Sequence, residues 1–285
     1  MIRLPIGIYV EKGVDWLTIH WSSFFIGIKT AIEAVIDGFE FIYIGIPFVI
    51  MLVLIAVLAY FTAGKRTAIF SVAGCLVIKS IELWEMTMST FALVTTATLI
   101  ALVIGVPLGI WMSGSDRLNK IMRPVLDFMQ TMPAFVYLIP AVYFFDLGPV
   151  PGAVATIIFA MPPIVRLTSL GIRQVPADVV EASKSFGATQ KQMLFKVQIP
   201  LAMPTILAGL NQTIMLSLSM VVISAMIGSG GLGDVVLKGI SQMKIGDGFE
   251  GGLAVVILAM ILDRITQSIG KSKKSKRPRV VDKQS

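Results

Sequence analysis

Apolar residues gather in long windows along this chain instead of alternating with polar ones. Windows of roughly 17 to 25 residues with few charges have the length needed to cross a hydrocarbon core about 30 Å thick. We interpret seven windows as spans: 41–62, 67–81, 88–112, 131–147, 149–170, 201–226 and 251–269. The pattern predicts an all-α, polytopic membrane helix bundle with about seven transmembrane helices. The second window is short, so that span must be tilted or sunk in the bundle.

The region before the first span has a different pattern, with the period of an amphipathic helix. Its apolar stripe consists of Val14, Leu17, Trp21, Phe24, Ile28, Ile32 and Val35. Its polar stripe consists of Asp15, Ser22, Lys29, Glu33 and Asp37. Residues 11–37 therefore predict one N-terminal amphipathic helix at the outer membrane surface. We interpret His20 within it as an interfacial residue, not as a ligand.

Composition supports a membrane protein over a soluble one. Hydrophobic residues make up 55% of the chain and charged residues 14%, whereas about a quarter of a typical soluble domain is charged. Much of the net charge of +7 falls in the tail at 271–285, directly after a span. Such a cluster is typical of a signal that sets membrane orientation and of contact with anionic lipids, not of nucleic-acid binding. We expect an extracytoplasmic segment at 1–40, a permease domain at 41–270 and a basic cytoplasmic tail at 271–285.

The placement of lysine and arginine predicts the orientation. With the C-terminus inside, eighteen of the 24 basic residues lie on the cytoplasmic side. The six on the other side are Arg3, Lys12, Lys29, Lys79, Lys238 and Lys244. This asymmetry follows the positive-inside rule. We therefore expect a multi-pass protein of the bacterial cytoplasmic membrane, with its N-terminus outside and its C-terminus in the cytoplasm.

Two glycine-rich stretches look like phosphate-binding loops but lack the required context. Residues 228–233 fit G-x-G-x-x-G, yet they follow a span and not a strand. Gly270, Lys271 and Ser272 end like a P-loop, but Ile265 stands where the first glycine is needed. The sequence also contains no grouping of residue types that indicates a catalytic or metal site. We expect no enzymatic activity, cofactor or metal in this chain.

The loop at 174–200 has the pattern of two short capped helices. Pro176 suits the first turn of a helix, and Asp178 and Glu181 complement its N-terminal dipole. Gly187 suits a left-handed C-terminal stop. Thr189 and Gln192 form a capping-box pair that begins a second helix, which we expect Pro200 to end. A compact helix–glycine–helix unit projecting from the membrane could dock a partner.

The same loop resembles the EAA loop of ATP-binding-cassette importer permeases, whose motif reads E-A-A-x3-G-x9-I-x-L-P. The chain matches the spacing throughout and departs mildly from the residue types, with Ser183, Val197 and Ile199 as substitutions. The matching positions are Glu181, Ala182, Ser183, Gly187, Val197, Ile199 and Pro200, with Asp178 just before them. The resemblance implies a type I importer permease fold. It also implies that these residues dock a cytoplasmic ATPase.

Further stretches are similar to glycine betaine/proline betaine permeases of the ProU and OpuA type. They are 126–138 (LDFMQTMPAFVYL), 159–163 (FAMPP), 173–178 (RQVPAD) and 209–215 (GLNQTIM). The resemblance implies a homodimer of permeases and cytoplasmic ATPase subunits that bind ATP and Mg²⁺. It also implies an extracytoplasmic substrate-binding protein, which we expect to be a separate chain. The function implied is binding-protein-dependent import of betaine-type osmoprotectants.

The translocation path is the least defined part of the sequence. Aromatic faces can hold a quaternary ammonium, and the mid-span amides could line the path or hydrogen-bond a neighbouring helix. The path candidates are Phe135, Tyr137, Tyr143, Phe144, Asn211 and Gln212. For the four aromatic residues, packing or lipid contact is the more common role at helical spacing, whereas the two amides stay undecided between the path and a neighbouring helix. Two alternative functions stay open: an importer permease for choline, carnitine or an amino acid, and a stand-alone channel or ion-coupled carrier.

Overall fold

The protein, seen in a computed structural model that describes residues 6–271, is helical throughout that range. The helices are α1 (Ile6–His20), α2 (Ser22–Gly45), α3 (Phe48–Ala63), α4 (Lys65–Ser80), α5 (Trp84–Gly114), α6 (Asp116–Thr131), α7 (Leu138–Phe145), α8 (Pro149–Arg173), α9 (Ala177–Ser185), α10 (Gln190–Met193), α11 (Ile199–Ala225), α12 (Leu232–Ser241) and α13 (Ile245–Lys271). A 3-10 turn at Ala134–Tyr137 and a π-helical turn at Leu194–Gln198 join neighbouring helices. The predicted all-α fold is confirmed. The basic tail predicted at 271–285 lies, beyond Lys271, outside the described residues.

Three long apolar helices, α5, α8 and α11, form the centre of the bundle. Small residues let α5 and α8 approach closely. A β-carbon at Gly105 would lie 2.6 Å from the Ile164 side chain, and one at Gly109 would lie 2.6 Å from the Val165 carbonyl oxygen. Membrane helices associate largely by such close packing, since lipid provides no hydrophobic drive between them. The helix pair therefore gives the bundle a rigid core.

The number of spans differs from the seven windows of the sequence. Four helices are long and apolar enough to cross a membrane alone: α5, α8, the continuous stretch Gln190–Ala225, and α13 up to Ile269. Two bent pairs would raise the number to six. The window 67–81 corresponds to α4, whose 16 residues are too few for an untilted span. The protein is polytopic, and its shorter helices account for the difference.

The N-terminal amphipathic region is two helices, not the single one predicted over 11–37. The chain breaks between α1 and α2, and α2 continues to Gly45, where a bend of 103° leads into α3. The window 41–62 is therefore split at Pro47. The buried face of α2 also differs from the predicted apolar stripe. Phe24 and Val35 of that stripe are exposed, whereas Ile32 and Ile36 are buried against α7 and α8. The periodicity correctly predicted helical structure, but the neighbouring helices determine which face of α2 is buried.

The window 131–147 is not one transmembrane helix. The chain ends α6 at Thr131, passes through the 3-10 turn and forms the eight-residue α7, with a bend of 105° between the two arms. Pro133 lies at the break, where it lacks the N–H that a continuous helix needs. The apolar run was long enough for a span. Pro133 and the packing of α7 on α8 break this run into two helical segments.

The glycine stretch 228–233 forms the turn between α11 and α12, a helix that the sequence reasoning missed. Gly228, Gly230 and Gly231 have φ of 80°, 79° and 71°, which side chains with a β-carbon rarely adopt. The hydroxyl of Thr90 accepts a hydrogen bond of 2.8 Å from the N–H of Leu232, the first residue of α12. The glycines thus allow a sharp turn against α5. They serve backbone geometry at this turn.

Candidate coupling loop and translocation residues

The first half of the loop is a helix ended by glycine, as predicted. Pro176 directly precedes α9, and Gly187 follows it with a φ of 80°. The N–H of Gly187 donates to the Lys184 carbonyl at 2.9 Å, and the N–H of Ala188 donates to the Ser183 carbonyl at 3.1 Å. These two bonds form a Schellman motif, which satisfies carbonyls that the helix end leaves free. Gly187 therefore sets the angle at which the chain leaves α9.

The second half begins with the predicted capping box. The Thr189 N–H donates to the Gln192 side chain at 2.9 Å, and the Gln192 N–H donates to the Thr189 hydroxyl at 3.3 Å. The expectation that Pro200 ends this helix is wrong. The chain passes from α10 through the π-helical turn into α11, with Pro200 in the first turn of α11. A proline is tolerated in a first turn because the N–H it lacks has no partner there.

The motif residues divide into an exposed group and a group that faces the bundle. Asp178, Glu181, Ala182 and Gly187 are exposed, as is Pro200. The Phe186 side chain between them is 93% exposed. Exposed aromatic rings are common anchors at protein–protein interfaces, where aromatic residues are enriched. We call the exposed face formed by α9, Phe186 and Gly187 the α9 face.

The remaining motif residues connect the loop to the bundle. Ile199 packs on the cluster of Ile164, Ile172, Ala202 and Ile206, which joins α8 to α11. Val197 is half-buried, and Ser183 donates to the Val179 carbonyl at 2.8 Å within α9. The α9 face therefore projects from a segment whose far end is packed against two long helices. The loop is thus anchored to both long helices through side-chain contact.

The four aromatic path candidates do not converge on one site. Tyr137 is buried and donates to the Met129 carbonyl at 2.5 Å, and Phe144 stacks on Phe25 with 4.3 Å between ring centres. Phe135 and Tyr143 are half exposed, and the Tyr143 hydroxyl donates to Asp15 of α1. Packing explains Tyr137 and Phe144. Of the four, Phe135 and Tyr143 are the more exposed.

The two amides on α11 differ in their surroundings. Asn211 donates to the Asp263 carboxylate of α13 at 2.9 Å and accepts from the Thr266 hydroxyl at 2.5 Å. Gln212, one position on, is exposed. Polar side chains that bond across helices hold a membrane bundle together. Of the two roles considered for Asn211, the structure supports the bond to a neighbouring helix.

A cluster of ion pairs at the loop end of the bundle was not found from the sequence. Arg166 of α8 pairs with Asp127 of α6 at 2.7 Å, and Arg173 of α8 pairs with Asp116 at 2.6 Å. Arg173 also donates to the Met112 carbonyl at 2.8 Å. These partners lie far apart in sequence, so charge patterning showed only basic residues on one side of the membrane. The cluster ties α5, α6 and α8 together beside the first residue of the loop.

The sequence of residues 102–271 matches the family described as "Binding-protein-dependent transport system inner membrane component". That stretch includes the central helices α8 and α11 and the whole α9–α10 loop. The chain belongs to this family. It is therefore a multi-pass permease subunit of an ABC transporter, a class of subunit that is not itself catalytic.

Within the family the chain is similar to permeases of osmoprotectant importers. It is 50% identical to the glycine betaine/proline betaine permease ProW of Escherichia coli over 96% of this chain and 77% of that protein. It is 49% identical to the glycine betaine permease OpuAB of Bacillus subtilis over 96% of this chain and 97% of that protein. It is 50% identical to the glycine betaine/carnitine permease GbuB of Listeria monocytogenes over 95% of this chain and 98% of that protein. The resemblance inferred from the motifs is confirmed.

A solved structure supports the fold independently. The chain superposes on a structure of the MetNI methionine ABC transporter in an inward-facing conformation with a TM-score of 0.57 and 23% identity. The match covers 66% of this chain and 93% of that one. The type I permease fold expected from the EAA-like loop is thereby confirmed.

Proposed function

We propose that this chain is the membrane subunit of an ATP-driven importer that moves glycine betaine-type compatible solutes into the cell. The observation that carries the proposal is the identity of about half of all residues with three permeases for such solutes, over nearly the whole chain. The α9–α10 loop adds a physical reason, because its exposed face suits the docking of an energy-supplying partner. ATP hydrolysis takes place in that partner.

The α9 face is the proposed docking surface for a cytoplasmic ABC ATPase. The ATPase binds the ATP and Mg²⁺, and this chain binds no cofactor. Asp178, Glu181 and Ala182 would contact the partner directly, while Gly187 fixes the exit from α9. Because Ile199 packs on α8 and α11, movement of the loop would shift both helices. Closure of the ATPases would in this way rock the bundle between its inward- and outward-facing states.

The proposed assembly contains two copies of the permease and an extracytoplasmic substrate-binding protein. The loop end faces the cytoplasm with the C-terminus on the same side, as the charge asymmetry indicates. The proposed outside position of the N-terminus requires an odd number of crossings, such as five of the four to six that the helices allow. The basic tail would contact anionic lipid head groups next to the inner surface. Among the aromatic path candidates, Phe135 and Tyr143 are about half exposed, so a quaternary ammonium would reach these two rings most readily. Gln212 is the other exposed candidate.

Uptake by the reconstituted complex tests the proposal. Permease, ATPase and the cognate binding protein are placed in vesicles, and ATP-dependent uptake of labelled glycine betaine, carnitine, choline and an amino acid is compared. We expect glycine betaine to be taken up best, and only with ATP and the binding protein. A preference for choline or an amino acid would assign another substrate. Uptake that needs neither ATP nor the ATPase would point to a channel or an ion-coupled carrier.

Removal of the exposed ring tests the docking surface. We expect Phe186→Ser to reduce the ATPase that co-purifies with the permease about ten-fold, because exposed aromatic residues dominate many interfaces. Phe249→Ser is the matched control, since that side chain is 69% exposed near the start of α13. Equal loss in both variants, or none in Phe186→Ser, would place the ATPase elsewhere.

A further inference from the structure

The loop end of the bundle contains a cavity that the proposed cycle does not use. Its volume is about 370 Å³, and α5, α6 and α8 surround it. The residues that line it are Met112, Asn119, Arg123, Asp127, Arg166, Ser169, Leu170 and Arg173. Three guanidinium groups therefore face a space large enough for a small organic solute. Arginine provides planar, two-pronged donors that match a carboxylate.

The three arginines differ in whether a carboxylate of the protein already pairs with them. Arg166 and Arg173 each pair with one aspartate, at 2.7 and 2.6 Å. Arg123 donates through Nε to the neutral Asn119 side-chain oxygen at 3.3 Å. Within the described part of the chain, no carboxylate lies within 4.0 Å of Arg123. The remaining N–H groups of Arg123 are thus free to receive a carboxylate from a ligand.

The rest of the lining suits the other end of a betaine. The Met112 and Leu170 side chains give the wall apolar surface for methyl groups. The Asp127 carboxylate accepts from Arg166 through Oδ1, so its second oxygen is the one that can face the ligand's positive end. Two apolar and six polar or charged residues line the cavity, and placed polar groups fix the orientation of a small ligand in such a site. The distribution of charge is that of a receptor for a zwitterion. A simple anion would gain nothing from Asp127.

The cavity lies next to the segment that would move during transport. Arg173 lines it and also lines a second cavity of about 350 Å³, together with Val180, Glu181 and Lys184 of α9. A ligand held between Arg123 of α6 and Arg166 of α8 would add a further link to the ion pairs that already join these helices where the loop leaves α8. That bridge would resist relative movement of α6 and α8. Occupancy of the cavity would therefore slow the coupling loop.

We propose that this cavity binds the transported carboxylate-bearing zwitterion from the cytoplasmic side, through Arg123, and that its occupancy slows further import. The proposal rests on the proposed function for the identity of the solute. It deepens that function by giving the permease a means to limit uptake once the solute has accumulated. The bond formed is a reversible, charge-assisted hydrogen bond, and no covalent step is involved.

The test measures import into vesicles that already contain solute. The whole complex is reconstituted with ATP inside and the binding protein outside, and the vesicles are loaded with unlabelled glycine betaine, balanced by sorbitol. Choline chloride, which has the quaternary ammonium but no carboxylate, is compared with potassium chloride at the same concentration. Initial uptake of labelled glycine betaine is the measured quantity. Arg123→Gln is compared with Arg117→Gln, a change on the same helix outside the cavity.

We expect internal glycine betaine to inhibit the unmodified complex and choline to add nothing beyond potassium chloride. In Arg123→Gln the half-inhibitory concentration should rise about ten-fold, the usual order for a lost charge-assisted hydrogen bond. Arg117→Gln should behave like the unmodified complex. Normal uptake without inhibition, equal inhibition in Arg123→Gln, or equal inhibition by choline would each overturn the proposal. Absence of glycine betaine uptake from empty vesicles would instead contradict the proposed function.

Discussion

The backbone angle at Gly187 sets the direction in which the chain leaves the proposed docking surface, the α9 face. Its φ of 80° lies in the left-handed region, and the space around its missing β-carbon is open. A side chain there would be strained by the backbone angle and not by a neighbouring atom. Asparagine adopts this angle more readily than other residues, and valine is among the poorest. The position therefore allows the turn itself to be tested.

We expect Gly187→Val to abolish uptake while the protein still inserts in the membrane, because the Schellman turn that aims the α9 face would be lost. Gly187→Asn should keep a substantial part of the activity. Uptake by both variants is measured at matched membrane levels. Transport at the normal rate in Gly187→Val would exclude a docking role for the turn. A loss of equal size in both variants would show that the lack of a side chain matters, and not the angle.

At the scale of helices, two kinds of contact hold the long elements together. Small residues bring α5 and α8 within van der Waals distance of each other's backbone. Hydrogen bonds from Asn211 to Asp263 and from Thr266 to Asn211 join α11 to α13. The first contact depends on shape and the second on hydrogen bonds. Side-chain pairs of the second kind contribute about 0.6 to 2 kcal/mol in membrane proteins.

Asn211 and Gln212 provide a matched pair on α11. We expect Asn211→Leu to lower the melting temperature of the detergent-solubilised permease, because it removes the bond to Asp263, with a cost of about 1 kcal/mol. Gln212→Leu should leave the melting temperature unchanged, since that side chain is exposed. Equal melting temperatures for the two variants would argue against the inter-helix role of Asn211. Uptake by Gln212→Leu tests its proposed place on the path.

At the scale of the whole molecule, the loop end and the α12 end lie at opposite ends of the long helices α8 and α11. The positive-inside pattern assigns the loop end to the cytoplasm. Cys75, the single cysteine of the chain, is buried with 2% exposure. Its background reaction with a membrane-impermeant thiol reagent should therefore be low. Single introduced cysteines can report the sidedness of the bundle.

We expect Ser241→Cys to react with an impermeant maleimide added to intact cells, and Ser185→Cys to react only after the membrane is opened. Both serines are exposed and lie at the ends of short helices. The measurement is the labelled fraction before and after permeabilisation, with the unmodified chain as the control. Labelling of Ser185→Cys in intact cells would reverse the proposed orientation.

The sequence predicted the class, the fold and the loop because these depend on local signals. Long apolar runs predict membrane helices, and the spacing around Gly187 predicts a helix ended by a left-handed turn. The capping box of Thr189 and Gln192 is equally local, since its two hydrogen bonds join residues three apart. The helix ended at Gly187 and the capping box were both found in the structure. Their physical causes lie within a few residues of chain.

Other features depended on contacts between distant segments, and only the tertiary structure decided them. The apolar run 131–147 became a broken segment, and α2 presents Ile36 instead of Val35 to the bundle. Arg166 and Asp127 are 39 residues apart, so their pairing left no sequence pattern. Hydropathy indicates that a side chain avoids water, but it does not predict which neighbouring side chains bury it. The sequence thus determined that the chain forms a bundle of membrane helices, whereas packing determined where those helices break, which faces meet and where charges gather around a cavity.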